Sequence, residues 1–521
     1  MFRIEYLKLA KHPQLGDIEL FFTEEDEINK VIGPYNTVII GPNGTGKSYI
    51  LSTIINLFRE LNDIKEKGKR RIKYNFGDFN LKYTLNGAKF CYRNLPEKKF
   101  QDFVVKGGKP KKEKPLYFEK NNKTIEHTEI QIPDAILASS IMLTDKFVFL
   151  SNPEEFPNYK YLGIRGSRST AGTRTYIKNT INYLAKSTQK NIFTVTLPKI
   201  LDFLELDKYL FLSYSVKRRD TFFHENVSKE TFIEFINNYE AELEKRRQNS
   251  EKNIVPWYAF SHYKNILKDE TLLDNLIVFC RSKSKALKKN DNSGNFYFEY
   301  DLLNGLNKLE EEISLINLLE KLNLIGYPEL CFKKIESPAY SYEGASSGES
   351  HFVSAIIGIL STIKQNSIIL IDEPEISLHP NWQMKYMNFL REVFEKFTNC
   401  HFVIATHSHF LISDLKGENS KIIGLGRDNN KIVKVELPEK LDTYGWSPDD
   451  ILYNVFDVVS SRNKFVADDI AMILDELSKG SKKGVNKIKK ETYDTLVYLS
   501  KTLKDSDPLN VVVNSILKKV K

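Results

Sequence analysis

Thr37-Val-Ile-Ile-Gly-Pro-Asn-Gly-Thr-Gly-Lys-Ser48 decides how the rest of the chain reads. Thr37–Ile40 is a short β-branched run that stops at Gly41. Gly41–Ser48 then fits G-x-x-x-x-G-K-[ST] at every fixed position. Ile50, Ile54, Leu57, Phe58 and Leu61 recur at helical spacing, which predicts a helix over Lys47–Leu61. Strand, glycine loop and helix therefore follow one another, which is the context the motif requires. Glycines let backbone N–H groups turn inward around phosphates, and the helix N-terminus adds positive partial charge. Asn43, Gly44, Thr45 and Gly46 form that cradle, Lys47 is placed to reach the β and γ phosphates of ATP, and Ser48 offers its hydroxyl to Mg2+. A chance glycine-rich turn is the bland alternative, and the satisfied flanks weigh against it.

Ser367-Ile-Ile-Leu-Ile-Asp-Glu-Pro374 is the second element. It and His401-Phe-Val-Ile-Ala405 are continuous apolar runs of the buried parallel-strand type. The first delivers Asp372 to the C-terminal end of a strand, where ligands collect in open α/β sheets. Asp372 suits a Mg2+ ligand acting through water, and Glu373 is positioned to orient or deprotonate an attacking water. An acidic turn after a strand is common in itself; it gains weight from sharing a chain with the glycine loop.

On these residues the chain resembles the ABC-type ATPases. Ala345-Ser-Ser-Gly-Glu349 is similar to their signature motif in a variant form. Pro374-Glu375, Ser377-Leu-His-Pro380 and Trp382-Gln383 resemble the D-loop segment of the SMC, RecF and OLD-like branch. Ala405-Thr-His-Ser408 resembles the switch-histidine segment, with His407 reaching the γ-phosphate. The resemblance covers 1–60 and 340–425. It implies a P-loop ATPase head in which two copies sandwich two ATP molecules, with Ser346, Ser347, Gly348 and Glu349 completing the site of the opposite copy. It therefore implies a homodimer or higher oligomer. The family's Q-loop glutamine has no obvious counterpart; Gln131, before the apolar run Ala135–Ile141, is the candidate the sequence offers.

Composition bounds the remaining classes. The chain has 521 residues, 41% hydrophobic and 28% charged, enough for a sizeable core in more than one domain. No apolar run approaches the roughly 18 to 20 residues of a membrane helix. Met1–Pro13 is mixed and charged, unlike a signal peptide, so a cytoplasmic protein is expected. The four cysteines, Cys91, Cys280, Cys331 and Cys400, form no CxxC pair, which argues against a disulfide framework or zinc site. The net charge of +8 is uneven: Arg59–Lys123 alone carries +11. Within it, Phe79, Leu81, Tyr83 and Leu85 alternate with polar residues, and Asn86-Gly87 is a type I′ turn signal, so residues 70–130 read as an antiparallel β lobe. Its loop residues Lys106, Lys109, Lys111, Lys112 and Lys114 are a candidate nucleic-acid (DNA) or partner contact, against the plainer reading of a solvated loop.

The expected organisation is α/β: residues 1–150 the N-terminal part of the head with the β lobe, 151–335 a helical insertion, 336–440 the C-terminal part of the head, and 441–521 a helical tail. The insertion shows the stripe Phe232, Phe235, Ile236, Tyr239 and Leu243 but no sustained heptads, so no long coiled coil is expected. The tail's acidic residues Asp468, Asp469, Asp475 and Glu476 read as a solvated face rather than a nuclease site. Pro133–Ser140, Asp145-Lys-Phe147, Tyr161-Leu-Gly163 and Gly445–Leu452 are similar to stretches in ATPases of bacterial anti-phage systems, most of all the PtuA family of the Septu system, with the AriA family of PARIS close to it. That resemblance implies an ATP-binding and hydrolysing sensor or scaffold that regulates a partner nuclease of the HNH type. A DNA-repair ATPase acting on DNA ends, and an ATP-regulated nuclease, are the alternatives.

Overall fold

A computed structural model describes residues 1–23, 33–68, 76–94, 116–150, 152–165, 173–185, 190–216, 219–248, 269–286, 295–301, 306–334, 339–341, 347–376, 378–429, 431–437, 441–455, 468, 490–503 and 508–520. The chain divides into two units, Met1–Trp446 and Ser447–Lys521.

The glycine loop leaves from strand β3 (Tyr35–Ile40), which lies inside a seven-stranded sheet. Its other members are β8 (Ile136–Ser140), β9 (Tyr159–Tyr161), β14 (Ile368–Asp372), β15 (His401–Thr406), β16 (Ser420–Asp428) and β17 (Lys431–Val435). The order is β17-β16-β3-β15-β14-β8-β9, parallel throughout except for the β16–β17 pair. Every residue of β3, β8, β14 and β15 is buried, as continuous apolar runs require in a sheet covered on both faces.

A second sheet is wholly antiparallel. It contains β1 (Phe2–His12), β2 (Gly16–Phe21), β4 (Asp78–Leu85), β5 (Ala88–Arg93), β6 (Tyr117–Lys120) and β7 (Lys123–Thr124), in the order β2-β1-β4-β5-β6-β7. The hairpin between β4 and β5 turns at Asn86 (φ 52°) and Gly87 (φ 79°), both left-handed as a type I′ turn demands. The expected β lobe is thus present, and it extends to the N-terminus because β1 pairs with β4. Helix α1 (Lys47–Lys67) packs between the two sheets, and Phe2, Phe58 and Tyr83 meet edge-on or tilted at 5.3–6.0 Å in the shared core. It runs beyond the expected Leu61 to a left-handed C-cap at Gly68, whose N–H donates to Ile64 O.

Residues 173–334 contain α2 (Thr173–Ala185), α3 (Lys190–Phe203), α4 (Arg219–Phe222), α5 (Lys229–Gln248), α6 (Glu270–Ala286) and α7 (Leu306–Lys321). Beside these expected helices stands an antiparallel sheet of β10 (Leu206–Val216), β11 (Asn295–Asp301), β12 (Ile325–Lys334) and β13 (Ala339–Ser341), in the order β11-β10-β12-β13. A reading by helical stripes passes over it. Yet Phe296, Phe298 and Tyr300 alternate with Tyr297, Glu299 and Asp301, which is the period of a strand.

Two helices complete the head, α8 (Ser347–Thr362) and α9 (Pro380–Val393). The insertion packs on both. Phe203 of α3 lies 5.3 Å from Phe352 of α8 and 4.3 Å from Phe389 of α9, ring centre to ring centre. Tyr176 of α2 donates to His351 O. In the second unit, α10 (Pro448–Asn454) starts at a reciprocal cap between Ser447 and Asp450. There α11 (Lys490–Thr502) and α12 (Pro508–Val520) close a small core of Leu496, Val513 and Ile516. Among the described residues no helix is long and apolar enough to cross a membrane.

Candidate functional site

Strand register brings the motifs to one end of the sheet. Ile40, the last residue before the glycine loop, pairs with Thr406 of β15. Ala405 pairs with Asp372 of β14, and Asp372 with Ser140 of β8. Glycine loop, Asp372–Glu373 and Thr406–Ser408 therefore leave their strands side by side at the C-terminal edge.

In the loop, Gly44 (φ 79°) and Gly46 (φ 85°) adopt left-handed backbone, and a Cβ at Gly44 would stand 2.8 Å from an Arg427 guanidinium nitrogen. Asn43 and Gly44 are exposed at the mouth, while Thr45 is buried and its hydroxyl donates to Pro42 O. Lys47 is 4% exposed. Its ammonium donates to Gly41 O at 2.8 Å and Pro42 O at 3.3 Å, folding back over the loop it would share with a phosphate. Burial pulls its pKa down, and Glu373, Glu375 and Asp372 oppose that.

Ser48 Oγ donates to Asp372 Oδ1 at 3.0 Å, joining the helix start to the strand end. Asp372 is 1% exposed, and its second oxygen, Oδ2, is buried without a hydrogen-bond partner among the described residues. Burial pushes this carboxyl up to about 7, and Ser48 holds it down in part. A buried orphan carboxylate oxygen beside a serine hydroxyl is the donor set that suits a hard divalent cation. The loop, Ser48 and Asp372 thus fit ATP with Mg2+.

Glu373 has φ 49°, a left-handed backbone rare for a residue with a side chain, and its N–H donates to Ala405 O at 2.8 Å. Its Oε1 lies 3.8 Å from Lys47 Nζ and its Oε2 3.0 Å from His407 Nδ1. Lys47, Glu373 and His407 thus form a chain across the site. Glu375, which the sequence offers only as part of a D-loop likeness, is buried beside them. Its Oε1 accepts from Thr406 Oγ1 at 2.6 Å, His407 N at 2.8 Å and Ser408 N at 3.2 Å, and lies 3.1 Å from His407 Nδ1. Burial raises its pKa; these donors oppose that. Glu373, Glu375 and His407 form the one cluster of metal-binding side-chain types found among the described residues.

The remaining expectations fall elsewhere. Ser346 lies outside the described residues; Ser347, Gly348 and Glu349 stand in the first turn of α8. Lys106, Lys109, Lys111, Lys112 and Lys114 lie outside the described residues, as do Asp469, Asp475 and Glu476. Gln131 is not at the nucleotide loop. It lines a cleft of 770 Å³ with Lys65, Glu66 and Lys67 at the other end of α1, and a helix of 21 residues is about 30 Å long.

The segment that leaves β8 beside Asp372 is fixed instead by Asp145. That buried carboxylate takes Arg165 Nη2 at 2.5 Å and Nε at 3.0 Å and the Tyr161 hydroxyl at 2.7 Å. Ser52 Oγ of α1 donates to Lys146 O at 2.7 Å, tying the same segment to the helix that starts at Lys47. Arg427 of β16 is a further residue the sequence reading misses: Nη2 donates to Gly44 O at 2.7 Å, bringing a cation to the loop. Its only sequence signal is a basic residue closing the strand Ser420–Asp428.

Among solved structures, the chain is similar to the SMC head domain from Thermotoga maritima, at 10% identity and a TM-score of 0.34, over 84% of this chain and 99% of that one. It is similar to the Smc head domain of Pyrococcus furiosus, with an extended coiled coil and bound to the C-terminal domain of ScpA, at 15% identity and a TM-score of 0.32, over 84% and 96%. It is also similar to the recombination mediator protein RecF, at 13% identity and a TM-score of 0.27, over 84% and 98%. No curated protein matches it. The family model described as an AAA ATPase domain matches residues 14–412, which hold the glycine loop, both acidic residues of β14 and its edge, and His407; the chain belongs to the AAA ATPase domain family.

Proposed function

We propose that this chain is an ATP-driven switch, an ATPase that regulates a partner nuclease in defence against phage. The carrying observation is the meeting of Lys47, Ser48, Asp372, Glu373 and His407 at one sheet edge. In this reading the inward N–H groups of 43–48 bind the phosphates and Lys47 transfers its ammonium from Gly41 O to the β and γ oxygens. Ser48 and Asp372 hold Mg2+, which when bound neutralises charge between those phosphates. Glu373 leaves Lys47 and His407 to orient a water and take its proton, and His407 faces the γ-phosphate. Glu373 is 3.8 Å from Lys47 and 3.0 Å from His407, so the same three side chains satisfy one another until nucleotide separates them.

The signature segment, Ser346, Ser347, Gly348 and Glu349, completes the site of a second copy, which makes the working unit a homodimer or larger. What supports a regulatory role is the packing of the insertion. Phe203 contacts both α8, whose first turn carries Ser347, Gly348 and Glu349, and α9, which follows Asp372–Pro374. A partner or trigger that moves the insertion thereby acts on both helices. The likeness of Pro133–Ser140, Asp145–Phe147, Tyr161–Gly163 and Gly445–Leu452 to anti-phage ATPases of the PtuA type supports an HNH-type nuclease as that partner. The basic stretch 106–114 is the proposed DNA contact.

The test is an ATPase and nuclease assay on the purified chain, with Mg2+ or Mn2+, alone and with an HNH-type nuclease, should one be encoded beside it. Slow ATP hydrolysis, intact DNA with the chain alone and cleavage in the complex are expected. DNA cleavage by this chain alone, removed by changing Asp468 or Asp469, would overturn the regulatory reading in favour of a nuclease.

A further inference from the structure

Glu375 is a carboxylate with an unusual division of labour. One oxygen, Oε1, takes the Thr406 hydroxyl, the His407 and Ser408 N–H groups and the neighbourhood of His407 Nδ1, all between 2.6 and 3.2 Å. The other, Oε2, is buried and has no hydrogen-bond partner among the described residues. The residue is 3% exposed and is not placed to reach a substrate directly. A second tie runs alongside. Gln383 Nε2, on α9, donates to Leu378 O at 2.9 Å and to Glu375 O at 3.4 Å, and Gln383 Oε1 accepts from Ser408 Oγ at 2.6 Å. Glu375 and Gln383 thus clamp three consecutive residues, Thr406–Ser408, as they leave β15.

His407 has two carboxylate neighbours, Glu373 and Glu375, at 3.0 and 3.1 Å from one ring nitrogen. They are not equivalent. Glu373 is also 3.8 Å from Lys47 and is the group that water must recruit. Glu375 is held through Oε1 by the Thr406 hydroxyl and the His407 and Ser408 N–H groups, and is not paired with Lys47. A single Nδ1–H needs one permanent acceptor when Glu373 turns away, and only Glu375 stays in place.

We infer that Glu375 is the positioning residue of His407, the acceptor that keeps the ring and the Thr406–Ser408 backbone aimed at the nucleotide while Glu373 is engaged in hydrolysis. The inference rests on the site assignment above and deepens it. It is a claim about one acceptor oxygen rather than about negative charge, and that gives it a distinctive signature. Glutamine keeps an Oε1 in the same place, loses the charge and sets an amide nitrogen where the buried Oε2 lies, a cost the unfolding midpoint reads. Aspartate keeps the charge and, one methylene shorter, withdraws the oxygen from all four donors.

The experiment measures single-turnover ATP hydrolysis, ATP affinity and unfolding midpoint for the wild type and E375Q, E375D and E375A. Beside them stand E373Q and H407A, and a 15N spectrum follows the His407 ring nitrogens. Expected is a rate for E375Q within about fivefold of wild type, and losses of about 10- to 100-fold for E375D and E375A, as a mispositioned group gives. ATP affinity should change less than about threefold. The Nδ1–H signal of His407 should persist in E375Q and broaden in E375A. E375D as active as wild type with E375Q inactive would overturn the inference, because charge and not position would then matter. Losses in E375D and E375A that follow a collapsed unfolding midpoint, with the Nδ1–H signal unchanged, would overturn it as well. If E373Q and H407A hydrolyse ATP normally, the site assignment itself fails, which separates the two outcomes.

Discussion

His401 is a buried histidine whose hydrogen bonds admit one protonation state, and that makes it a pH handle on the head. It is fully buried in β15, where it joins the two sheets. Ile4 N of β1 can only donate, so Nδ1 accepts from it at 3.0 Å. Thr37 Oγ1 of β3 donates to Phe22 O at 2.7 Å and so accepts from Nε2–H at 2.8 Å. The neutral Nε2–H ring satisfies every group; a second proton would set Nδ1–H against the Ile4 N–H. Burial, and then the Arg3 guanidinium, accordingly hold the folded pKa well below 6.5. The unfolded chain binds a proton below about pH 6.5 while the folded chain does not, so stability is full above that pH and is lost as pH falls through it. For one such group the loss between pH 7.5 and pH 5 is about 2 kcal/mol. The perturbation is His401→Gln, which keeps a donor for Thr37 and removes the titration. The assay is urea unfolding of nucleotide-free protein followed by circular dichroism at both pH values. The variant should be less stable at pH 7.5 by about 1–3 kcal/mol, for the lost Ile4 partner. Its further loss on going to pH 5 should be smaller than that of wild type by about 2 kcal/mol. His12 and His351 are also held low by burial and contribute equally to both proteins, so the difference isolates His401. An identical pH-dependent loss in wild type and variant would refute the reasoning.

Three other outcomes follow from the site. Lys47→Ala should weaken ATP binding by about 10- to 150-fold, the worth of a charged hydrogen bond of about 1.5–3 kcal/mol, as read by titration calorimetry; unchanged affinity would remove Lys47 from the phosphate site. Glu373→Gln should leave ATP affinity within about threefold and lower the hydrolysis rate about 10²- to 10⁴-fold, with dimers accumulating in ATP by light scattering. Asp372→Asn tests burial: a carboxyl held near 7 against 3.8 when exposed disfavours the folded state, increasingly as pH rises from about 4 to 7 and by up to about 4 kcal/mol above 7. In metal-free buffer the variant should therefore gain on wild type in unfolding midpoint between pH 5 and pH 8, and a constant difference would contradict it.

Much of this architecture is legible in the chain because its signals are local. Thr37–Ser48 carries strand, turn and helix start in twelve consecutive residues, and Ser367–Asp372 and His401–Thr406 are uninterrupted apolar runs that only a buried parallel strand explains. The register that sets Asp372 beside Ala405 and Ser140 is not local, but a parallel sheet with motifs at its strand ends makes that meeting the expected one. The four-stranded sheet of the insertion is harder. β10 pairs with β11 and β12 across intervals of about 80 to 120 residues, and its strands alternate within helix-rich surroundings. Asp145 and Arg165 are harder still. They belong to two loops 20 residues apart, and nothing in either loop announces the ion pair that fixes the segment beside Asp372.

Three residues to which the sequence reading gives no role share a physical trait: each holds backbone. Arg427 takes Gly44 O, Glu375 takes the N–H groups of His407 and Ser408, and Ser52 takes Lys146 O. A motif records side chains that meet substrate, because those must have one chemistry at one spacing. A group that fixes a backbone atom can come from any element that passes nearby, so it leaves no spacing to read. Such groups nonetheless fix the geometry of the candidate site. Asp372 and Glu375 are buried carboxylates each with an orphan oxygen, and both are held above their ordinary pKa. Left to themselves they would favour a relaxed, more hydrated arrangement. The donors from Ser48, Thr406, His407 and Ser408 keep them in place before any nucleotide arrives. In the proposed site, a cation engaging Asp372 would offset part of that burial cost. Under the proposed function, Mg2+ and ATP together should therefore raise the unfolding midpoint of wild type more than that of Asp372→Asn, and equal shifts would contradict the role given to Asp372.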